Sequence, residues 1–235
     1  QIQRPTATIA EPTITFSFEV PDQVDSNRLG TSSWLQYNSL DVLTVPPNAT
    51  TDLDETYERD IETVDYDKGS WFSQCNTTGP NISRPYSWLL KTRTEIMNFL
   101  AFLETRRGKH VPFYMPTWGK DVEQMQDIGA TDLNVLIKNI GYTRYIKMHA
   151  NRSTLIFFPA DGSTPVIKSI TGSAESANNT ETISVNSNFG AIKKVGDFKA
   201  ISFLTFCRFD QDDFELTWHT DSIMEVSTRV REVLQ

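Results

Sequence analysis

The stretch "RTEIMNFLAFLETRRGKHVPFYMPTW" (93–118) decides how the chain is read. Thr92, followed three positions later by Glu95, fits a capping box, in which hydroxyl and carboxylate satisfy the N–H groups that a helix start leaves open. Ile96, Phe99, Leu100 and Leu103 recur at i, i+3, i+4 and i+7 and make one apolar stripe. Arg106 and Arg107 fall in the last turn, where cations suit the helix dipole. Gly108 can take the left-handed conformation that stops a helix. These signals predict a helix at about 92–107. Its stripe must bury against another element. An aromatic, proline-rich segment leaves it at once, carrying Phe113, Tyr114, Pro116 and Trp118.

The rest of the chain reads as strands and turns. In "TITFSFEV" (13–20), Ile14, Phe16 and Phe18 alternate with Thr, Ser and Glu, as in a half-buried strand. "PDQVDSNRLG" (21–30) reads as a turn. The acidic, Pro/Thr-rich segment 45–60 reads as an exposed loop. After Trp118 the segment 119–130 reads as an acidic linker. Short strand candidates follow: "LNVLI" (133–137), "TRYIKM" (143–148), "STLIFF" (153–158), "PVIKSI" (165–170) and "ETISV" (181–185). Asp161-Gly162 is a hairpin signal, and "TGSAESANNTE" (171–181) reads as a polar loop. "AISFLTFCRF" (200–209) is nearly continuous apolar, which predicts a central strand buried on both sides. "FELTW" (214–218) and "MEVSTRVREV" (224–233) alternate. The fold expected is mainly β, with one flanking helix.

A chain of 235 residues can build one large or two small cores. The net charge of −8 argues against a nucleic-acid-binding surface and against docking on anionic lipid. No apolar run approaches the roughly 20 residues of a membrane helix. The start "QIQRPTATIA" carries neither an initiator Met nor a leader pattern, as expected of a processed or trimmed chain.

Catalytic signatures are missing. His110, His149 and His219 have no metal-ligand spacing, and there is no nucleophile elbow and no glycine-rich phosphate loop. The acids of 52–55 and Asp212-Asp213 read as solvated charge, and "DLDETYERD" lacks the glycine and closing glutamate of a calcium loop. The sequence therefore predicts no enzyme, no cofactor and no metal. Cys75 and Cys207 leave a disulfide open. Asn48, Asn76, Asn81, Asn151 and Asn178 each begin an N-x-[ST] triplet, which a secreted glycoprotein would use as glycan acceptors. Trp34, Trp71, Trp88, Trp118 and Trp218 are core or interface anchors, or a sugar-stacking platform.

Three stretches together resemble the distal-tail and minor-tail proteins of tailed bacteriophages. They are the helix with its "FYMPTW" exit, "SRPYSWLLKTRTEI" (83–96), and "CRFDQDDFELTWHTDSIMEVSTRVREV" (207–233). The resemblance covers about a third of the chain and holds no catalytic motif. It implies a tail-tube-like β-sandwich flanked by the helix, formed by 1–118 plus 200–235, with a small β-barrel or sandwich inserted at 119–199. The closing strands of that sandwich would carry Phe206, Arg208, Asp210, Leu216 and Trp218. It further implies a structural protein of the virion, in a tail tip or baseplate assembled in the bacterial cytoplasm. Its partners would be copies of itself in a ring and the tube, hub and fibre proteins, with DNA only as transient cargo and no membrane. A carbohydrate-binding β-sandwich, receptor-binding or lectin-like, is the alternative expectation.

Overall fold

The computed structural model describes residues 13–17, 34–48, 55–59, 61–65, 69, 71–76, 81–176 and 178–233. Phe18, the expected turn at 21–30, and Asp52 and Asp54 lie outside the described residues. The fold is mainly β, with one long helix, a large mixed sheet that does not close into a barrel, and a separate two-stranded sheet.

The first strands are β1 (Thr13–Ser17), β2 (Leu35–Tyr37), β3 (Leu40–Val42), β4 (Thr56–Glu58), β5 (Ile61–Asp65), β6 (Trp71–Cys75) and β7 (Asn81–Leu90). Helix α1 (Arg93–Arg106) and strand β8 (Phe113–Pro116) follow. Then come β9 (Asn134–Lys138), a π-turn (Tyr142–Ile146), a 3-10 turn (Ala150–Arg152), β10 (Thr154–Pro159), β11 (Val166–Ser176) and β12 (Thr180–Val185). The chain closes with β13 (Phe198–Phe209), β14 (Asp213–Trp218) and β15 (Met224–Glu232).

The chain forms two compact units. Unit 1 comprises 1–33, 45–112 and 208–231. Its strands run in the antiparallel order β1, β14, β15, β7, β4. Here α1 forms as its sequence dictates: the Thr92 hydroxyl accepts the Glu95 N–H at 3.2 Å, and the Glu95 carboxylate accepts the Lys91 N–H at 2.9 Å. The face it buries is rotated from the expected stripe. Ile96, Phe99, Phe102, Leu103 and Arg106 are buried, and Leu100 is half-buried. Phe99 meets Trp88 of β7 at 5.3 Å between ring centroids, and Phe102 meets Phe209 at 6.3 Å. The row continues to Tyr86 beyond Trp88, at 5.7 Å, and to Phe214 beyond Phe209, at 5.0 Å.

The helix ends at Arg106, two residues before Gly108. Arg107 itself adopts φ 51°, and its N–H returns to the Glu104 carbonyl. Gly108 is needed for another reason besides its φ of 60°: a Cβ there would lie 2.5 Å from the Asp212 carboxylate. That carboxylate accepts the Lys109 N–H at 3.0 Å, so the turn before β14 presses on the helix end.

Unit 2 comprises 34–44, 113–207 and 232–235. Its strand order is β2, β3, β8, β13, β10, β11, β12, β9, antiparallel throughout except for β3 with β8. The first and last strands do not pair, so the barrel option fails. As its apolar run predicts, β13 lies between β8 and β10. Leu155, Phe157, Ile201 and Phe203 pack into one cluster, and Ile156, Leu204, Tyr114 and Val42 into another.

Four sequence expectations need correction. The segment 119–130 is no loose linker: Val122, Gln124 and Ile128 are buried, and backbone bonds tie it to Ile201, Leu136 and Lys193. "TGSAESANNTE" is mostly strand, turning at Asn178 and Asn179, both with positive φ, which asparagine tolerates. Residues 56–58 of the acidic loop form β4, held where Arg84 pairs with Glu55 at 2.6 Å and Arg231 with Glu58 at 3.1 Å. "TRYIKM" is a π-turn rather than a strand, for a reason given below.

If the aromatic row carries unit 1, Phe99→Ala should cost about 3–5 kcal/mol in urea unfolding. Leu100→Ala should cost less than half as much, and the reverse order would show that the helix buries its other face.

Candidate functional site

The residues singled out by the sequence fall into both units. In unit 1, Ile96, Phe99 and Leu103 are buried beneath α1, Leu216 is buried in β14, and Arg208 and Trp218 are half-buried. Asp210 accepts the Ser83 hydroxyl and pairs with Arg231, each at 3.1 Å. In unit 2, Phe113, Tyr114 and Pro116 form the buried strand β8. That strand lies directly against β13, with Phe113 opposite Cys207, Tyr114 opposite Phe206 and Pro116 opposite Leu204. The Tyr114 ring sits 5.0 Å from Tyr37 and 5.4 Å from Phe206. Trp118 follows β8 at φ 62° and stacks on Phe158 at 5.6 Å.

Of the aromatics expected on a sugar platform, Trp34 and Trp118 are half-buried, and Trp71 stands out at 69% exposure. Cys75 is an exposed thiol and Cys207 a buried one, so the two are not joined. Asn151 is buried, and its side-chain amide donates to the Val233 carbonyl at 3.0 Å, which leaves no room for a glycan.

Sequence reasoning missed the strongest polar device in unit 2. The Glu181 carboxylate of β12 is fully buried and accepts three backbone N–H groups, from Ile140 at 3.1 Å and from Tyr142 and Thr143 at 3.0 Å. Converging on one anion, these donors wind residues 142–146 into a π-turn, which is why the strand pattern there fails. Gly141 enters the turn at φ 72°. The turn presents Tyr145 at 72% exposure and Met148 at 88%. Burial pushes the Glu181 carboxyl up, but the three N–H donors outweigh it and hold the group below the ordinary glutamate value.

Two surface features stand apart from these cores. In unit 1, β5 and β6 pair only with each other, and all ten of their residues are exposed, including Ile61, Val64, Trp71 and Phe72. In unit 2 a groove of about 380 Å³ opens between the 120–124 segment and residues 195–201. Lys120, Val122, Val195, Phe198 and Lys199 are among its lining residues. Alternation in "IETVD" is too short to mark a strand, and the groove depends on the buried course of 119–130, which composition hides.

Among the described residues, no three His, Cys, Asp or Glu side chains are placed to hold a metal ion, and no helix is long and apolar enough to cross a membrane. No family model matches the chain, and no curated protein does.

Because the Glu181 carboxyl is held below its unfolded value, its contribution to stability is full above the unfolded glutamate pKa of about 4.3 and is lost as pH falls through the folded value. Glu181→Gln should therefore lose about 2–3 kcal/mol at pH 7 and flatten the stability curve below about pH 4. Urea unfolding across pH 3–7 would check this, and an unchanged acid limb would remove the assigned role.

Proposed function

We propose that the chain is a structural, non-enzymatic protein of a bacteriophage tail tip or baseplate, forming or capping a ring that joins the tail tube to the hub or fibres. The observation that carries this reading is the pairing of the helix-exit strand with the closing strand, Phe113 opposite Cys207 and Tyr114 opposite Phe206. The packing of α1 on β7 through Phe99 and Trp88 supports it as well. In such an assembly the partners are further copies of this chain and the neighbouring tube, hub and fibre proteins. An acidic chain of net charge −8 suits a channel that DNA crosses without adhering, because carboxylates repel phosphates. The site of action is the virion, after assembly in the bacterial cytoplasm.

Antibody against the chain, applied to tail particles from its source and viewed by electron microscopy, should label one end of the tail. Label spread over heads, or absent from particles released by cells that make the chain, would overturn the reading.

A further inference from the structure

Residues 140–146 of unit 2 cover apolar surface without belonging to a strand. Tyr142 is buried and stacks on Phe203 at 5.9 Å between ring centroids. Ile140 and Ile146 are half-buried against the same cluster, which holds Leu155, Phe157 and Ile183. The segment leaves the sheet where the Asn139 N–H meets the Asn179 carbonyl at 3.0 Å. Beyond that point the N–H groups of Tyr145 and Lys147 close within the turn, on the Gly141 and Tyr142 carbonyls. Those of Ile140, Tyr142 and Thr143 all go to the Glu181 carboxylate. One side chain thus stands where a strand would have a ladder.

Both carboxylate oxygens are used. Oε2 accepts Ile140 and Tyr142, and Oε1 accepts Thr143. A proton on either oxygen turns an acceptor into a hydroxyl and removes the charge that strengthens all three bonds. Buried N–H groups left without a partner carry their full desolvation cost. The charged neighbours do not substitute. From β11, Glu175 stands directly opposite Glu181 and accepts the Arg144 guanidinium at 2.8 Å. From β9, Ile137 stands opposite Glu181, and the adjoining Lys138 faces Glu123 at 3.4 Å. Arg144 and Lys138 thus pair with other carboxylates. The turn itself adds two phenols. Tyr145 is exposed, and Tyr142, pushed up by burial, donates to the Arg152 carbonyl at 3.0 Å.

We propose that residues 140–146 are an acid-released flap: the Glu181 carboxylate latches them over the end of the unit 2 core, and protonation of that one group opens them while the sheet beneath stays paired. The direction follows from the latch. The closed flap holds Glu181 ionised, so it stays shut at neutral pH and opens as pH falls below the ordinary glutamate value of about 4.3. Opening withdraws Tyr142 from Phe203 and bares Ile140, Ile146 and the core end, an apolar surface hidden at neutral pH. Local opening of this kind costs less than global unfolding because few ladder bonds have to break.

The test is hydrogen exchange of the full chain, read by mass spectrometry. At neutral pH, Glu181→Gln should speed exchange at 140–146 by about tenfold or more while β10 and β13 exchange as in wild type. Arg144→Ala, which removes only the exposed ion pair to Glu175, should have a much smaller effect. In wild type, after correction for the intrinsic pH dependence of exchange, the same segment alone should lose protection between about pH 5 and about pH 3, with a gain in binding of an apolar dye. Exchange at 140–146 that rises only in step with β10 and β13 would mean that the turn opens by global unfolding, and the flap would be overturned. A wild-type turn still protected at the acid end, or Arg144→Ala matching Glu181→Gln, would overturn it as well. If Glu181→Gln does not fold, the wild-type series decides by itself.

Discussion

The indole of Trp88 is the element on which unit 1 depends. It is fully buried, sits between Tyr86 and Phe99, and donates its N–H to the Val45 carbonyl at 3.1 Å. One side chain therefore fixes a strand, a helix and the segment that begins at 45. Aromatic pairs of this kind add about 0.5–1.5 kcal/mol beyond the area they bury. Phe102, Phe209 and Phe214 extend the row to β14. Charge closes the outer edge, where Arg84 and Arg231 hold β4 by its glutamates.

Unit 2 is organised differently. Its central strands are apolar on both faces, and its polar work is done by a few buried groups. Glu181 holds the π-turn. Lys168 donates to the Ser187 hydroxyl at 2.8 Å and to the Asn188 carbonyl at 2.7 Å, with its ammonium 5.2 Å from the Phe189 ring. Burial pushes that ammonium below the ordinary lysine range. Arg152 pairs with Glu232 and lies over Phe203. Each of these groups secures a stretch that has no ladder of its own, which is how so irregular a sequence keeps a continuous sheet.

What could be read beforehand was local. The capping box at Thr92, the apolar run of β13 and the alternation of β14 and β15 are written in neighbouring residues, and the structure follows them. Strands at 81–90 and 113–116 flank the helix, and the expectation of them came from the resemblance rather than from local periodicity. The errors share a cause at longer range. Glu181 turns "TRYIKM" by a bond to Thr143 that spans 38 positions of the chain, and no window of periodicity contains both. Segment 119–130 looks like a linker because its buried residues are spaced by polar ones, yet Val122 and Ile128 find partners at Ile201 and Lys193. Gly108 looked like a helix stop, and the approach of Asp212 from a distant turn gives it a second reason to be glycine. The hairpin and the groove escaped notice because exposure and concavity are properties of placement, which residue spacing does not encode.

The amide of Asn151 carries a consequence for how the chain can be made. Asn151-Arg152-Ser153 is an acceptor triplet by composition, but in the folded protein its nitrogen is already spent on the Val233 carbonyl, in a site only 8% open. A eukaryotic secretory host attaches its oligosaccharide to the nascent strand, ahead of folding. The sugar would then fill a site that folding buries, and the modified polypeptide could not close there. Production of native material thus calls for a cytoplasmic or bacterial host, or for removal of the acceptor hydroxyl at Ser153.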